Sequence, residues 1–89
     1  MSLSFPNVSR SYDTGSRRIR FSGYDGINEI RFFLEISALT KAADSNMSGE
    51  KEYLAAFDRA RQVILAAAQK VYGKQRNASM CTLTDQDFG

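Results

Sequence analysis

The chain has 89 residues, of which 43% are hydrophobic and 25% are charged, and 12 basic against 10 acidic residues leave a formal net charge of +2. These are ordinary values for one small globular domain that buries one modest core. The basic and acidic residues are balanced in both halves of the chain, which excludes a basic arm or an acidic tail.

Cys81 is the single cysteine of the sequence, so it cannot form an internal disulfide, which is typical of a reducing compartment. The N-terminus lacks the charged-then-apolar pattern of a secretory signal, and no apolar run approaches the length of a membrane span. We therefore expect a cytoplasmic protein with a single domain over residues 1–89.

The first half of the chain shows the period-two alternation of β-strands. Residues 8–12 predict a short first strand, and residues 13–16 have the composition of a turn. Two longer strands are predicted over residues 17–24 and 28–36, each with its apolar side chains on one face. The Asp25-Gly26 dipeptide between them predicts a two-residue hairpin loop.

This loop sets the register of the predicted hairpin. Phe21 then pairs with Ile30, and Ile19 pairs with Phe32. These apolar pairs share one face, as they must when one side of a sheet is buried. We expect that face to lie against the helices.

The next segment predicts a short helix and a long helix. Ser37 is expected to cap the short helix, which contains Leu39 and Ala42 and fades in residues 44–46. Residues 50–72 form the long helix, with an apolar stripe on one side and charged side chains on the other. Ser48 is its expected N-cap, and Gly73 is expected to end it.

The last residues predict a strand and one more helical turn. Residues 79–83 read as a short strand, and residues 84–87 have the spacing of a capping box, so that Phe88 folds back onto the body. The predicted fold is α+β, with a three- to four-stranded antiparallel sheet and one long and one short helix packed on one face.

Short motifs recur over nearly the whole chain: Tyr12-Asp13, Ile19-x-Phe21-x-Gly23-x-Asp25, Phe32-x-x-Glu35, Ala38-Leu39, Ala56-Phe57-Asp58 and Leu83-Thr84-x-x-Asp87-Phe88. This pattern resembles a family of short bacterial proteins known as domain of unknown function 1488. The resemblance implies a bacterial cytoplasmic protein with an α+β domain. It implies no activity, cofactor or partner.

Residues suited to enzyme chemistry are scarce. The sequence has no histidine, so the commonest general base and metal ligand is missing. Cys81 has no histidine to activate it, and the scattered carboxylates lack the spacing of metal ligands. Asp13 and Asp25 lie in turns at opposite ends of one strand, on the order of 25 Å apart, too far to share a substrate. We expect no catalytic residues, no metal and no cofactor.

The outer face of the predicted hairpin carries the candidate binding residues. The register places Arg20 opposite Arg31 and Arg18 opposite Phe33, and opposed like charges destabilise a sheet. The exposed aromatic ring and the sheet edges suit contact with a protein partner or with a second copy of the chain. The arginines also suit an anion or a single-stranded nucleic acid. Alternatively, Glu29 and Glu35 lie diagonal to the arginines and offset their charge, and Phe33 only accepts a cation–π contact, which would make this face ordinary solvated surface.

We predict a small interaction or regulatory module that binds a protein partner, or itself as a dimer, through Arg18, Arg20, Arg31 and Phe33. Weak nucleic-acid or anion binding by the same face is the alternative. A membrane partner is not expected, because the polar face of the long helix mixes acidic and basic residues. Arg61 projects from the apolar side of that helix, where it either lays its stem on the core or binds an anion.

Overall fold

The structure is a computed structural model that describes residues 3–6, 9–43, 47–75 and 79–88. Within these ranges, five strands form one mixed sheet, and the apolar face of the sheet packs against three α-helices. The elements in chain order are β1 (Leu3–Ser4), β2 (Ser11–Asp13), β3 (Arg18–Asp25), β4 (Asn28–Glu35), α1 (Ile36–Ala43), α2 (Glu50–Arg59), α3 (Arg61–Lys74), β5 (Met80–Leu83) and a 3₁₀ helix (Asp85–Phe88).

The predicted α+β class is confirmed, but the predicted sheet and helix count are wrong. The described residues contain five strands instead of three or four, one strand pair is parallel, and the helices number three instead of two. No helix in the described ranges combines the length and the hydropathy that crossing a membrane requires.

The hairpin of β3 and β4 forms as predicted, but its loop lies one residue later. Asp25 pairs with Asn28, so Gly26 and Ile27 form the two-residue loop. Gly26 has a φ of 66°, which glycine adopts without steric cost and which suits the first position of such a loop. The predicted Asp25-Gly26 loop is wrong, because a single glycine can stand at either loop position.

The later loop moves every cross-strand partner by two residues. Phe21 lies opposite Phe32 instead of Ile30, and Ile19 lies opposite Leu34. A shift of two preserves which side chains share a face, because strand side chains alternate with a period of two. The predicted apolar face is therefore confirmed, although its predicted pairs are wrong.

Two short strands share the other edge of β3. β2 pairs with the first residues of β3, and β1 pairs with its last residues, both antiparallel. The predicted first strand over residues 8–12 begins only at Ser11, and Val8 lies outside the described residues. β1 was not predicted, because a two-residue strand has no periodic signal.

The turn between β2 and β3 follows the prediction for residues 13–16. The Asp13 carboxylate accepts hydrogen bonds from the Gly15 backbone N–H at 3.1 Å and from the Ser16 hydroxyl at 2.7 Å. These bonds, with the Ser16 hydroxyl as the largest cause, lower the pKa of Asp13. The side chain of Asp13 therefore has a structural role in the turn.

β5 runs parallel to β4, which corrects the predicted antiparallel sheet. Met80 lies opposite Arg31, and Leu83 lies opposite Leu34. Parallel neighbours require a long crossover connection, which here contains α1, α2 and α3. Because the helical segment returns the chain to the end of the sheet where β4 begins, the next strand must run in the same direction as β4.

The predicted long helix is divided into α2 and α3 at Ala60. This residue has φ −100° and ψ 15°, outside the α-helical region. The Ala60 N–H still bonds the Ala56 carbonyl at 3.0 Å, and the Ile64 N–H bonds the Ala60 carbonyl at 3.0 Å. No glycine or proline marks the division, so local propensity did not reveal it.

The caps of this helical segment also differ from the predicted ones. The N-cap is Gly49, and Ser48 instead donates its backbone N–H to the Glu52 carboxylate at 3.1 Å. At the other end, Gly73 remains inside α3 and Gln75 is the C-cap. The short helix α1 begins at Ile36, so the predicted cap Ser37 lies inside it, and residues 44–46 lie outside the described ranges.

The core lies between the inner sheet face and the helices. The predicted apolar stripe of the long helix is buried along its whole length, at Tyr53, Phe57, Ala60, Ile64, Ala67, Ala68 and Val71. The predicted final turn is confirmed as the 3₁₀ helix, in which the Thr84 N–H donates to the Asp87 carboxylate at 2.8 Å. Phe88 packs against the core as expected.

Candidate functional site

The four predicted binding residues share the outer face of the sheet. Arg18 and Arg20 lie on β3, and Arg31 and Phe33 lie on β4. In the observed register, Arg20 is opposite Phe33, and Arg31 is opposite Ser22. The predicted pairings of Arg20 with Arg31 and of Arg18 with Phe33 are therefore wrong, since Arg18 lies opposite Glu35, although all four side chains are on the predicted face.

Arg18 covers the aromatic ring of Phe33. The guanidinium carbon lies 4.3 Å from the ring centroid, which is a cation–π contact. The contact leaves Phe33 half-buried and not the exposed ring that the sequence suggested. The Nε atom of Arg18 is buried without a hydrogen-bond partner. Arg18 and Phe33 therefore form one packed unit at the end of the face.

Arg20 and Arg31 have different surroundings from Arg18. Both are exposed, and among the described residues neither forms an ion pair or a hydrogen bond with a carboxylate. The charge of Arg20 makes only a minor contribution to the lowered pKa of Asp13. The guanidinium donors of both arginines therefore remain available to a ligand.

Arg20 and Arg31 border a depression of about 420 Å³ on the outer face, which we call the arginine depression. Its polar lining residues are Ser9, Arg10, Ser11, Arg20, Ser22, Glu29 and Arg31. Two of the serines lie directly across from an arginine. Ser11 of β2 is opposite Arg20 of β3, and Ser22 of β3 is opposite Arg31 of β4. Cross-strand neighbours are about 5 Å apart, so each hydroxyl can act on the same ligand as its arginine.

Arg10 is fixed at the rim of the arginine depression by Asp58 of α2. Its Nε donates to Oδ1 at 3.0 Å, and its Nη2 donates to Oδ2 at 2.8 Å. Asp58 also accepts from Arg61 Nη2 at 2.9 Å. The hydrogen bond from Arg10 is the largest cause of the lowered pKa of Asp58. The charge of Arg10 is thus partly neutralised, while its position is held.

The chain that carries this site matches a known protein family. A model for proteins of unknown function, DUF1488, matches residues 3–84. The chain belongs to the DUF1488 family. The resemblance that the sequence motifs indicated is therefore confirmed.

The fold of this DUF1488 domain is shared by a solved structure. A crystal structure of a DUF1488 protein of unknown function from Shewanella loihica PV-4 has a TM-score of 0.80 and 17% sequence identity. The similarity covers 92% of this chain and 91% of that chain, and at this identity it shows the fold alone. A comparison with curated proteins found no match to the chain.

Sequence reasoning missed part of the lining of the arginine depression. The missed lining residues are Ser9, Arg10 and Ser11. They lie in the predicted first strand, but the sequence did not indicate which strand would pair with it. The period of two along β3 predicts Ser22 on the same face as Arg20, and the structure confirms this, although Ser22 was not among the predicted binding residues.

Arg61 and Cys81 of the DUF1488 domain have structural surroundings. The guanidinium carbon of Arg61 lies 5.0 Å from the Phe57 ring centroid, and its Nη2 donates a hydrogen bond to Asp58. These contacts agree with the prediction that the aliphatic part of Arg61 packs on the core. Burial raises the pKa of the Cys81 thiol, whereas a nucleophilic cysteine needs a lowered pKa. No group of three or more metal-ligating side chains occurs within the described residues.

Proposed function

We propose that this protein is a small binding module whose outer sheet face takes an anionic ligand in the arginine depression. The observation that carries the proposal is that Arg20 and Arg31 border the depression without a carboxylate partner in the described ranges. Glu29 is the one carboxylate among the lining residues, against Arg20 and Arg31 and the Asp58-paired Arg10. The depression therefore favours negative charge.

Phosphate is the group that suits this lining best. Arginine presents a planar fork of N–H donors that matches the oxygens of a phosphate, and each serine hydroxyl adds a donor from the neighbouring strand. The volume of about 420 Å³ lies in the range of small-ligand sites. Because Arg18 already covers Phe33, stacking of a base on this ring is less favoured than contact with a phosphate group.

A binding role is also preferred to a catalytic one. The sequence has no histidine, which is the commonest general base, and burial raises the pKa of the Cys81 thiol, so an activated thiol is not at hand. The single buried cysteine is free, which agrees with a cytoplasmic location as part of the proposal.

The test is fluorescence anisotropy with labelled single-stranded DNA and RNA at low and moderate salt, with inorganic pyrophosphate as competitor. Arg20→Glu with Arg31→Glu is expected to weaken binding at least about tenfold, because charge-assisted hydrogen bonds contribute about 1.5–3 kcal/mol each. Binding is also expected to fall as salt rises.

Two control substitutions on α2 separate local contacts from net charge. Arg59→Glu with Lys51→Glu makes the same change in total charge at exposed positions outside the arginine depression. An equal loss in both double variants, or no binding of any anion at low salt, would contradict the proposal.

A protein partner or self-association through the same outer face is the second candidate function. Met80 lies beside Arg31 on the edge strand β5, and 56% of its surface is exposed. An exposed apolar side chain at an unpaired sheet edge favours contact between proteins. Sedimentation velocity of the wild type and of Met80→Ser tests self-association. A monomer at every concentration for both proteins would end the dimer hypothesis.

A further inference from the structure

A second concave surface lies on the helical side of the molecule. It is a groove of about 540 Å³ between α3 and the 3₁₀ helix, which we call the α3 groove. Val63, Ala66 and Lys70 line it from α3, and Phe88 lines it from the 3₁₀ helix. It shares no residue with the arginine depression, so it stands independently of the proposed function.

The α3 groove follows one continuous stripe of the helix. Val63, Ala66, Lys70 and Lys74 recur at intervals of three and four residues, which places them on one helical face. This stripe is separate from the core-facing side of α3, and Val63 is 52% exposed. At about 1.5 Å per residue it is about 16 Å long, or about three helical turns.

The charge of the stripe has one sign. The segment Arg61–Lys74 contains no aspartate or glutamate. Lys70 and Lys74 are exposed and form no ion pair with a carboxylate among the described residues. Asp87 is the one carboxylate among the residues that line the groove, against two lysines, and it accepts the Thr84 backbone N–H at 2.8 Å. The C-terminal end of a helix favours cations because of the helix dipole, which suits Lys70 and Lys74. That preference does not explain why the other half of the same stripe is apolar and exposed.

We propose that the α3 groove binds an acidic amphipathic helix of a partner protein. The apolar side chains of such a helix would cover Val63 and Phe88, and its carboxylates would pair with Lys70 and Lys74. The small side chain of Ala66 lets the partner backbone approach closely.

A second copy of this chain is a poorer occupant. A two-fold contact would pack α3 on α3, and neither helix carries a carboxylate, so the two lysines of one copy would meet only the groove-lining Asp87 of the other, which already accepts the Thr84 backbone N–H. The partner therefore differs from this chain in carrying acidic residues along one helix face.

The probe is a synthetic helical peptide of about 15 residues, or about four helical turns. It carries leucines on one face and glutamates beside them. A matched peptide carries lysine in place of each glutamate. Titration of each peptide into the ¹⁵N-labelled full chain is followed by NMR. The acidic peptide is expected to shift the amide signals of residues 63–74 and 85–88, and the basic peptide is expected to leave them unchanged.

Variants separate the charged and apolar contributions. Lys70→Glu with Lys74→Glu is expected to weaken binding of the acidic peptide at least about tenfold through lost charge complementarity. Val63→Ser is expected to weaken it without changing the Tm, since this side chain is half exposed. Lys51→Glu with Arg59→Glu makes the same change in charge on α2 and is expected to leave the affinity unchanged.

Several results would overturn the proposal. These are no shift at residues 63–74 with the acidic peptide in large excess, an equal response to the basic peptide, or an equal loss in the α2 variant. Concentration-dependent shifts of the same signals without any peptide would identify a second copy as the occupant and would also reject the acidic helix.

Discussion

Asp58 is the residue that joins the rim of the arginine depression to the helices. Its carboxylate accepts two hydrogen bonds from Arg10 and one from Arg61, so one negative charge positions two cations. The bonds from Arg10 lower the pKa of Asp58 more than its burial raises it. Asp58 therefore stays ionised into acidic solution and keeps Arg10 in place.

Asp58→Asn is expected to make stability less dependent on pH. Because the folded-state pKa of Asp58 is lowered, its contribution is present above the unfolded value of about 3.9 and is lost as the pH falls through the folded value. At pH 7 the substitution is expected to lower the free energy of unfolding by up to about 1 kcal/mol, the range of exposed ion pairs. Urea denaturation over a series of pH values measures both effects.

Asp85→Asn is the control for this prediction. Asp85 is exposed and forms no ion pair within the described part of the chain, so the same change of charge is expected to leave stability nearly unchanged. If Asp58→Asn costs the same free energy at neutral and acidic pH, the loss does not come from the charge of the carboxylate.

At the scale of elements, β3 organises the sheet. It pairs with β4 along its whole length on one edge, and β1 and β2 share its other edge. Phe5 follows β1 and packs into the aromatic cluster, with its ring centroid 5.7 Å from that of Phe32. This ring lies directly against Gly23, where a side chain would collide with it. Gly23 therefore makes room for Phe5.

Gly23→Ala is expected to destabilise the protein by about 1–3 kcal/mol, as overpacking of a filled core does. An added Cβ atom would lie 2.7 Å from the Phe5 ring and 3.0 Å from the Ser4 carbonyl oxygen, and the latter is backbone that cannot easily move. Chemical denaturation of the variant measures the loss.

Gly73→Ala is the matched control, with an effect of opposite sign. Gly73 lies inside α3, and nothing approaches the position of its missing Cβ atom within 4 Å. Alanine is the better helix former, so we expect a gain of about 0.5–1 kcal/mol. A neutral or stabilising result for Gly23→Ala would show that β1 and Phe5 do not pack as described.

The whole molecule presents two cationic concave surfaces on its two layers. The arginine depression lies on the outer face of the sheet, and the α3 groove lies on the helical side. The first combines arginines with serine hydroxyls, and the second combines lysines with an apolar stripe. The two surfaces therefore suit different partners: a small or extended phosphate-bearing ligand, and an acidic helix.

Binding at the two surfaces is expected to be separable by substitution. Arg20→Glu with Arg31→Glu should weaken binding of the labelled oligonucleotide and spare the acidic peptide. Lys70→Glu with Lys74→Glu should have the reverse effect. Anisotropy measured for both probes on both double variants checks this. If either variant weakens both probes equally, net charge and not local geometry governs binding.

The candidate site was predictable in part, and the hairpin shows why. The alternation of β3 and β4 placed Arg18, Arg20, Arg31 and Phe33 on one face, and that placement survives the two-residue shift. The identity of opposed residues did not survive, because it depends on which two residues form the loop. The contribution of Arg10 was not predictable, since its partner Asp58 is 48 residues away in sequence.

The sequence by itself determined the α+β class, the buried faces of the hairpin and of the helical stripe, and the capped final turn. Each of these depends on periodicity or on neighbours a few residues apart, where side-chain chemistry acts locally. Only the tertiary structure decided the direction of β5, the division at Ala60 and the absence of carboxylate partners for Arg20 and Arg31 within the described residues. These features depend on which distant segments meet in space, and periodicity carries no information about that.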